Sequence, residues 1–352
     1  MSKRLEEIRE TKKNFGSEPT MAKVPETRFL RGVEGIEVDL LDGPVNPYRA
    51  LYAMALSTWT HFGNWSRARW EDAPVGTRVA VVRRVLAAKA LPLAMESPKF
   101  LFEVSGCSRS SFDQIARARV GVVFASLGSR DNDFSATPFR ISEATWRDPD
   151  ALARKKAGIR AAHEAYIREV ADRGEDYWTP TFETAREELP LSVCWRFLMS
   201  INYASLRGFC SRRMTFAEQS DTVAVAWLLR DRLMQPDAYP LLGAWLRPRC
   251  DFTRSCTFHV PGDESEVFRG LNTTCGRNPL RAPCDYAEEF ADHRCPSTDP
   301  EAFKAQIGVQ IPGPDEERPE TFELTERDEE LFRDCGNPFP AGRSGSGPEA
   351  LP

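Results

Sequence analysis

Between Leu191 and Ile201 the large apolar residues fall at alternate positions: Val193, Trp195, Phe197, Met199 and Ile201. That period belongs to a β-strand with one face on a core. Side chains of this bulk need an apolar layer over them, which commits the chain to a sheet covered by other elements. Lys99–Val104 repeats the pattern with Phe100, Phe102 and Val104.

Elsewhere the period is helical. Ser108–Val120 places Phe112, Ile115, Ala116 and Val120 on one stripe, and Asp150–Asp172 does so with Ile159, Ala162, Tyr166, Ile167 and Val170. Asn202 is a candidate N-cap for a short helix bearing Leu206, Phe209 and Arg213. Thr215 with Glu218 matches a capping box opening a helix to about Met234. The Gly128 and Asp-Asn-Asp composition of 121–134 reads as a loop. Strands and helices mix without regular βαβ alternation, so the expected class is α+β, a mixed sheet with packed helices.

Texture divides the 352 residues into four stretches. These are a charged arm over 1–45, the periodic core over 46–247, a cysteine-bearing stretch over 248–310, and a tail over 311–352 rich in acid, Pro and Gly and expected to be disordered. The run Val79–Leu93 is interrupted by Arg83, Arg84 and Lys89, so no membrane span is expected. The basic and acidic N-terminus lacks the apolar run of a signal peptide, and nine cysteines in such a chain read as free thiols of a reducing, cytoplasmic setting.

A net charge of −5 argues against binding a nucleic acid polymer or an anionic membrane. Arginines nevertheless cluster locally. Arg109, Arg117, Arg119 and Arg130 surround the single acid Asp113, and Arg196, Arg207, Arg212 and Arg213 occupy 189–217 with no acid among them. Guanidinium forks suit phosphate. Arg117 lies three residues after Gln114, so the two share a helix face, one able to read a polar ring edge and the other an anion. The run Ala125–Arg130, with Ser126, Gly128 and Ser129, can add backbone N–H groups and hydroxyls around a phosphate. A solvated face paired with acids elsewhere is the competing reading of the same charges.

Two stretches then resemble one family, one from Ala185 through Gln219 and one from Glu96 to Arg130. Ala185-Arg186-Glu187-Glu188-Leu189-Pro190-Leu191-Ser192 runs through the long strand to Asn202 and on through Phe209, Arg213 and Gln219. Met95-Glu96 precedes Phe100-Leu101-Phe102. Gln114-Ile115-Ala116-Arg117-Ala118-Arg119 leads to Ser126-Leu127-Gly128-Ser129-Arg130. Together, over roughly 50–247, these resemble the flavin-dependent thymidylate synthases.

The resemblance implies reductive methylation of dUMP, with the carbon from methylenetetrahydrofolate and the hydride passing from NADPH through FAD. It implies Arg213 as the catalytic residue facing the uracil, and Gln114, Arg117, Ser129, Arg130 and Arg186 as nucleotide contacts. Glu96, Arg117, Arg119 and Asn202 fall at flavin-side positions. It also implies a homotetramer whose active sites draw on more than one subunit, and a pyrimidine nucleoside monophosphate as partner. Ala118 stands where the family has the histidine of Arg-His-Arg, Leu91 where it has another histidine, and Ala204 where it has an arginine. Arg207, one turn beyond Ala204, is a candidate to reach the same place. Three readings follow: a divergent thymidylate synthase, a paralogue modifying another pyrimidine nucleotide at C5, or a nucleotide-binding member without chemistry.

Cys250, Cys256, His259, Cys275, Cys284, His293 and Cys295 are soft ligands, yet without a paired Cys-x2-Cys, so free thiols are the expectation over zinc. His163, on a charged helix, is expected at the surface, and His61 between Trp59 and Trp65 in the core.

Overall fold

The computed structural model describes residues 26–59, 69–87, 92–129, 132–172, 181–214, 218–248, 251–252, 300–312, 316 and 318–336. In chain order the elements are β1 (Phe29–Arg31), β2 (Glu37–Asp42), α1 (Pro47–Trp59), α2 (Val75–Ala87), α3 (Pro92–Met95), β3 (Lys99–Ser108), α4 (Arg109–Ile115), β4 (Val122–Ser126) and β5 (Phe139–Ile141). There follow α5 (Glu143–Arg147), α6 (Pro149–Asp172), α7 (Thr181–Ala185), a single 3-10 turn (Arg186–Glu188), β6 (Cys194–Asn202), α8 (Tyr203–Arg213), α9 (Ser220–Met234), α10 (Pro240–Ala244), α11 (Pro300–Ile307) and α12 (Glu326–Arg333).

The architecture is α+β. Four strands form an antiparallel sheet in the order β2-β3-β6-β4, and β1 pairs with β5 in a separate parallel ribbon. The alternating residues identified from the sequence bury one face of this sheet. Phe100, Phe102 and Val104 on β3 lie beside Trp195, Phe197, Met199 and Ile201 on β6, all buried. Each such side chain contributes about 1.5–3 kcal/mol by leaving water. The α9 helix is buried along nearly its whole length, from Ser220 through Leu233, and completes the core. The bulge at Gly106 in β3 is enforced by a φ of 80°, and a Cβ there would lie 2.1 Å from the Gly35 carbonyl oxygen. Only glycine fits that approach.

Several expectations are corrected. The helix expected over 108–120 stops at Ile115, with Ser108 as N-cap and Ala116 as C-cap. The segment read as a loop contains β4, paired from Val122 opposite Ile201 to Ser126 opposite Phe197. Its Val122-Val123-Phe124 run does not alternate, yet it gains a full ladder against β6. The capping box at Thr215 and Glu218 does not open α9. That helix begins at Ser220 after Gln219, which makes no side-chain cap bond.

The boundary at residue 45 cuts too late, because β2 is a strand of the main sheet. His163 is buried rather than on the surface. Its Nδ1 meets Thr27 Oγ1 at 3.0 Å and its Nε2 the Ser135 carbonyl at 2.8 Å. The sequence at 318–336 is polar in composition but ordered, which overturns disorder for that part of the tail. Thr325 and Asp328 form a true capping box for α12, and Leu331 and Phe332 are buried. The strap is drawn in by side chains that bind its backbone carbonyls. Arg78 donates to Phe332 O at 2.6 Å, Arg83 to Glu320 O at 2.8 Å, Asn46 to Leu331 O at 2.7 Å and Trp70 to Asp334 O at 2.7 Å. The seven cysteines and histidines singled out between 250 and 295, and His61, lie outside the described residues.

Candidate active site

The predicted site residues fall into two groups joined by α8. The first gathers where β6 ends. Asn202 closes the strand, and its side-chain carbonyl accepts from Ser205 N at 2.8 Å, capping α8 as expected. The turn carrying Arg117 and Arg119 packs onto this cap, because Asn202 N donates to Gly121 O at 2.9 Å and Ser205 Oγ donates to Val120 O at 2.6 Å. Gly121 has a φ of 67°, and a Cβ there would stand 2.3 Å from Asn202 Nδ2 and 2.4 Å from Ser205 Oγ. Glu96 comes to the same edge, since Tyr203 N donates to Pro98 O at 2.9 Å and Lys99 pairs with Asn202. Glu96, Arg117 and Arg119 are exposed, and Gln114 is half-buried on the last turn of α4. Arg117 lies beyond the end of the helix, so it does not share a helical face with Gln114. A bond from its N–H to Gln114 O at 3.3 Å keeps the two in one turn.

The second group lies towards the other end of α8. Eleven residues at 1.5 Å each put Asn202 and Arg213 about 16 Å apart along the helix. Arg213 is half-buried, and its Nη1 donates to Glu218 Oε2 at 2.5 Å. Glu218 is the partner that sequence reading missed, having been taken for a cap. Its acid so close in sequence to Arg213 was the available signal. The next residue, Gln219, is within reach of Ser108 Oγ at 3.3 Å and Ser110 Oγ at 3.4 Å. Asp221 Oδ2 accepts from Ser108 N at 2.9 Å and lies 3.9 Å from the buried Arg140. These bonds fasten the start of α9 to the start of α4.

The Arg186 segment reaches the same region, because Ser110 N donates to Leu191 O at 3.0 Å. Arg186 itself is exposed on its 3-10 turn. Ser129 is half-buried after β4, next to Gly128, whose carbonyl accepts from Asn132 Nδ2 at 2.8 Å. Arg130 lies outside the described residues. Burial pushes the Tyr203 hydroxyl and the Cys210 thiol, both on α8, well above their ordinary values and keeps them neutral.

Chemically, the first group offers two exposed guanidinium groups beside an amide and a hydroxyl at a helix start. That donor set suits an anionic diphosphate. The second offers one oriented cation, suited to negative charge on a flat ring. Ala118 and Ala204, two positions at which the resemblance expects other side chains, are half-buried and pack against the core. Arg207 is engaged with neighbouring elements. Its guanidinium turns to the Leu86 carbonyl at 2.6 Å and lies over the Trp245 and Phe252 rings.

A family described as "Thymidylate synthase complementing protein" matches residues 40–236, more than half of the chain. The chain belongs to this family. As a thymidylate synthase complementing protein it is a divergent member of the flavin-dependent thymidylate synthase-type enzymes. It is 25% identical over 222 residues to the flavin-dependent thymidylate synthase of Pyrococcus furiosus, covering 61% of this chain and 86% of that protein. Among solved structures it is similar to the UMP/dUMP methylase PolB of Streptomyces cacaoi bound with 5-Br dUMP, with TM-score 0.47, 17% identity, and coverage of 59% of this chain and 92% of the other. It is also similar to the flavin-dependent thymidylate synthase ThyX of Helicobacter pylori complexed with FAD and dUMP, with TM-score 0.42, 19% identity, and coverage of 56% and 93%. Neither overlap carries the family assignment, which rests on the sequence match. Among the described residues no helix is long and apolar enough to cross a membrane, and no cluster of metal-ligating side chains occurs.

Proposed function

We propose that this protein methylates C5 of a pyrimidine nucleoside monophosphate, dUMP in the first place, as a flavin-dependent thymidylate synthase-type methyltransferase. Methylenetetrahydrofolate gives the carbon as a methylene group, C5 of the ring loses its proton, and the methylene is reduced to methyl while tetrahydrofolate leaves unoxidised. FAD, when bound, supplies the hydride that NADPH provides.

The observation that carries this reading is the Arg213–Glu218 pair at the end of α8, inside the family-matched region. A guanidinium held by a carboxylate needs no reorientation when negative charge develops on the ring at N3. Gln114 offers its carboxamide to the ring edge, Arg117 and Ser129 meet the nucleotide, and Arg130 with Arg186 anchors the phosphate. Glu96, Asn202 and Arg119, again with Arg117, would hold the flavin. The contribution of the protein is position and charge rather than a nucleophile.

The separation of about 16 Å between the two ends of α8 supports a site completed by a neighbouring subunit in a homotetramer. Val123 and Val120, 70% and 84% exposed, give that assembly an apolar surface at β4. The free thiols Cys107, Cys194, Cys210 and Cys335 suit a reducing, cytoplasmic setting.

A second reading has its own support. The apolar packing of Ala118 and Ala204 alters the flavin-side edge while arginines remain at the nucleotide positions, which fits a paralogue acting on a different pyrimidine monophosphate. A thymidine-requiring strain tests the first reading. Growth without thymidine on expressing this chain is the expected result. Failure to grow, together with methylation of another pyrimidine monophosphate by the purified protein, would establish the second. A protein that binds nucleotides but methylates none would leave a non-catalytic binder.

A further inference from the structure

The two edges of the main sheet, β2 and β4, are finished in opposite ways. β2 carries Glu37, Asp39 and Asp42, all exposed, and such charges keep a further strand away. β4 reads Val122-Val123-Phe124-Ala125-Ser126, with no charge and no proline. Val123 is 70% exposed, and Ala125 is exposed on the same face. An edge of that kind is open to pairing.

The register tells which backbone groups face out. Asn202 N donates to Gly121 O and Leu127 N donates to Arg196 O, so the odd-numbered residues of this stretch bond to β6. Bonding alternates along an antiparallel strand, which turns the N–H and C=O groups of Val122, Phe124 and Ser126 to the far side. Among the described residues no strand pairs with them there.

A second copy of the same edge fits these groups. About a two-fold axis at Phe124, that residue faces its own counterpart, and Val122 faces Ser126 of the partner subunit. Each outward N–H then meets an outward carbonyl. Val123 falls opposite Ala125 of the partner subunit in the closely spaced, non-bonded position, where two small apolar side chains pack. This register pairs the whole of β4 and sets no charge against another. β2 placed against its own copy would oppose acid to acid. The acidic β2 strands end up at the two outer edges of the joined sheet, so pairing stops at two copies.

We propose that β4 is the contact between two copies of this chain, joined edge to edge as antiparallel strands of one continuous sheet. The pairing names a contact of the assembly in the functional reading above and rests on that reading for the need of more than one copy. Oligomer mass with no methylation would sink the reaction and leave the pairing standing.

The test is analytical ultracentrifugation of the full chain, with circular dichroism to confirm the fold of each variant. Wild type is expected at twice the monomer mass or a multiple of that. Val123→Lys with Ala125→Lys is expected at half the wild-type value, because lysine then opposes lysine across the axis. Val123→Lys with Ala125→Glu is expected to regain the wild-type mass, since each lysine then opposes a glutamate. Amide exchange over 122–126 should be slower in wild type than in the double-lysine variant. A monomeric wild type, a double-lysine variant of unchanged mass, a lysine-glutamate variant that stays apart, or equal exchange over 122–126 would each overturn the pairing. Should the variants not fold, wild-type exchange over 122–126 decides, because it must slow as protein concentration rises, and exchange independent of concentration would overturn the pairing.

Discussion

Arg213, the last residue of α8, donates to Glu218 just before α9, and the bond of 2.5 Å leaves its guanidinium oriented but only half-buried. Removing the cation and removing its holder should therefore differ. Arg213→Ala is expected to lower kcat by about two to three orders of magnitude, the usual loss for one preorganised charge donor. Glu218→Gln should lower it by roughly tenfold, through misplacement alone. Steady-state kinetics on both variants, with circular dichroism to confirm the fold, checks the order. Equal losses would show that Glu218 takes part beyond orienting Arg213.

Gly121 couples the arginine turn to the α8 cap. Alanine there is strained at a φ of 67° and drives a methyl group into Asn202 and Ser205. Gly121→Ala should cost about 1–3 kcal/mol of stability from strain and a displaced cap. It should also weaken FAD more than nucleotide. Urea unfolding and ligand titration measure the two effects separately.

Asp328 anchors the C-terminal strap from a fully buried position. Its carboxylate accepts from the Tyr48 hydroxyl, from Leu241 N at 3.2 Å, and from Thr325 N at 3.1 Å and Thr325 Oγ1 at 2.9 Å. Asp328→Ala orphans several donors at once and should destabilise the protein by about 3 kcal/mol or more. Tyr48→Phe removes one donor and leaves the rest of the set intact, so its cost should be nearer 1–2 kcal/mol. Chemical denaturation of the two variants gives the comparison.

Glu143 sets an acid limit. Bonds from Arg31 at 2.7 and 2.9 Å, from Gln306 at 2.9 Å and from Arg147 at 2.8 Å hold its carboxyl down from 4.5 to about 2. The folded state favours the charged form, so this stabilisation is complete above the unfolded value near 4.5. It is lost as pH falls through that value towards 2. Thermal melts between neutral pH and pH 2 should show a falling Tm over that interval. In Glu143→Gln the fall should be shallower and the neutral Tm lower.

The sheet was legible because its two central strands carry bulky residues at strict alternation, a pattern that one buried face enforces. The Asn202 cap was legible because its bond is local. Where partners are distant, the sequence was silent. The burial of His163 depends on Thr27 and Ser135, and the order of 318–336 depends on Arg78, Arg83 and Asn46, which lie in the first hundred residues. β4 was hidden because its Val122-Val123-Phe124 run does not alternate, and as an edge strand it takes its stability from the ladder of β6 rather than from its own period. At the candidate site, the residue types were visible, but Glu218 was misread as a cap because the same acid serves either role in sequence. The turn from Gln114 to Arg117 was also misplaced, since nothing local announces that α4 ends at Ile115.

Methylation of a pyrimidine nucleotide at C5 with net reduction is the proposed work of this arginine-framed site. Incubating the purified full chain with FAD, NADPH, dUMP and methylenetetrahydrofolate deuterated in its methylene group, then weighing the nucleotide by mass spectrometry, tests it most directly. The expected product is dTMP carrying both methylene deuterons, with tetrahydrofolate and not dihydrofolate as the folate product. Unmodified dUMP from protein that has bound both FAD and nucleotide would contradict it.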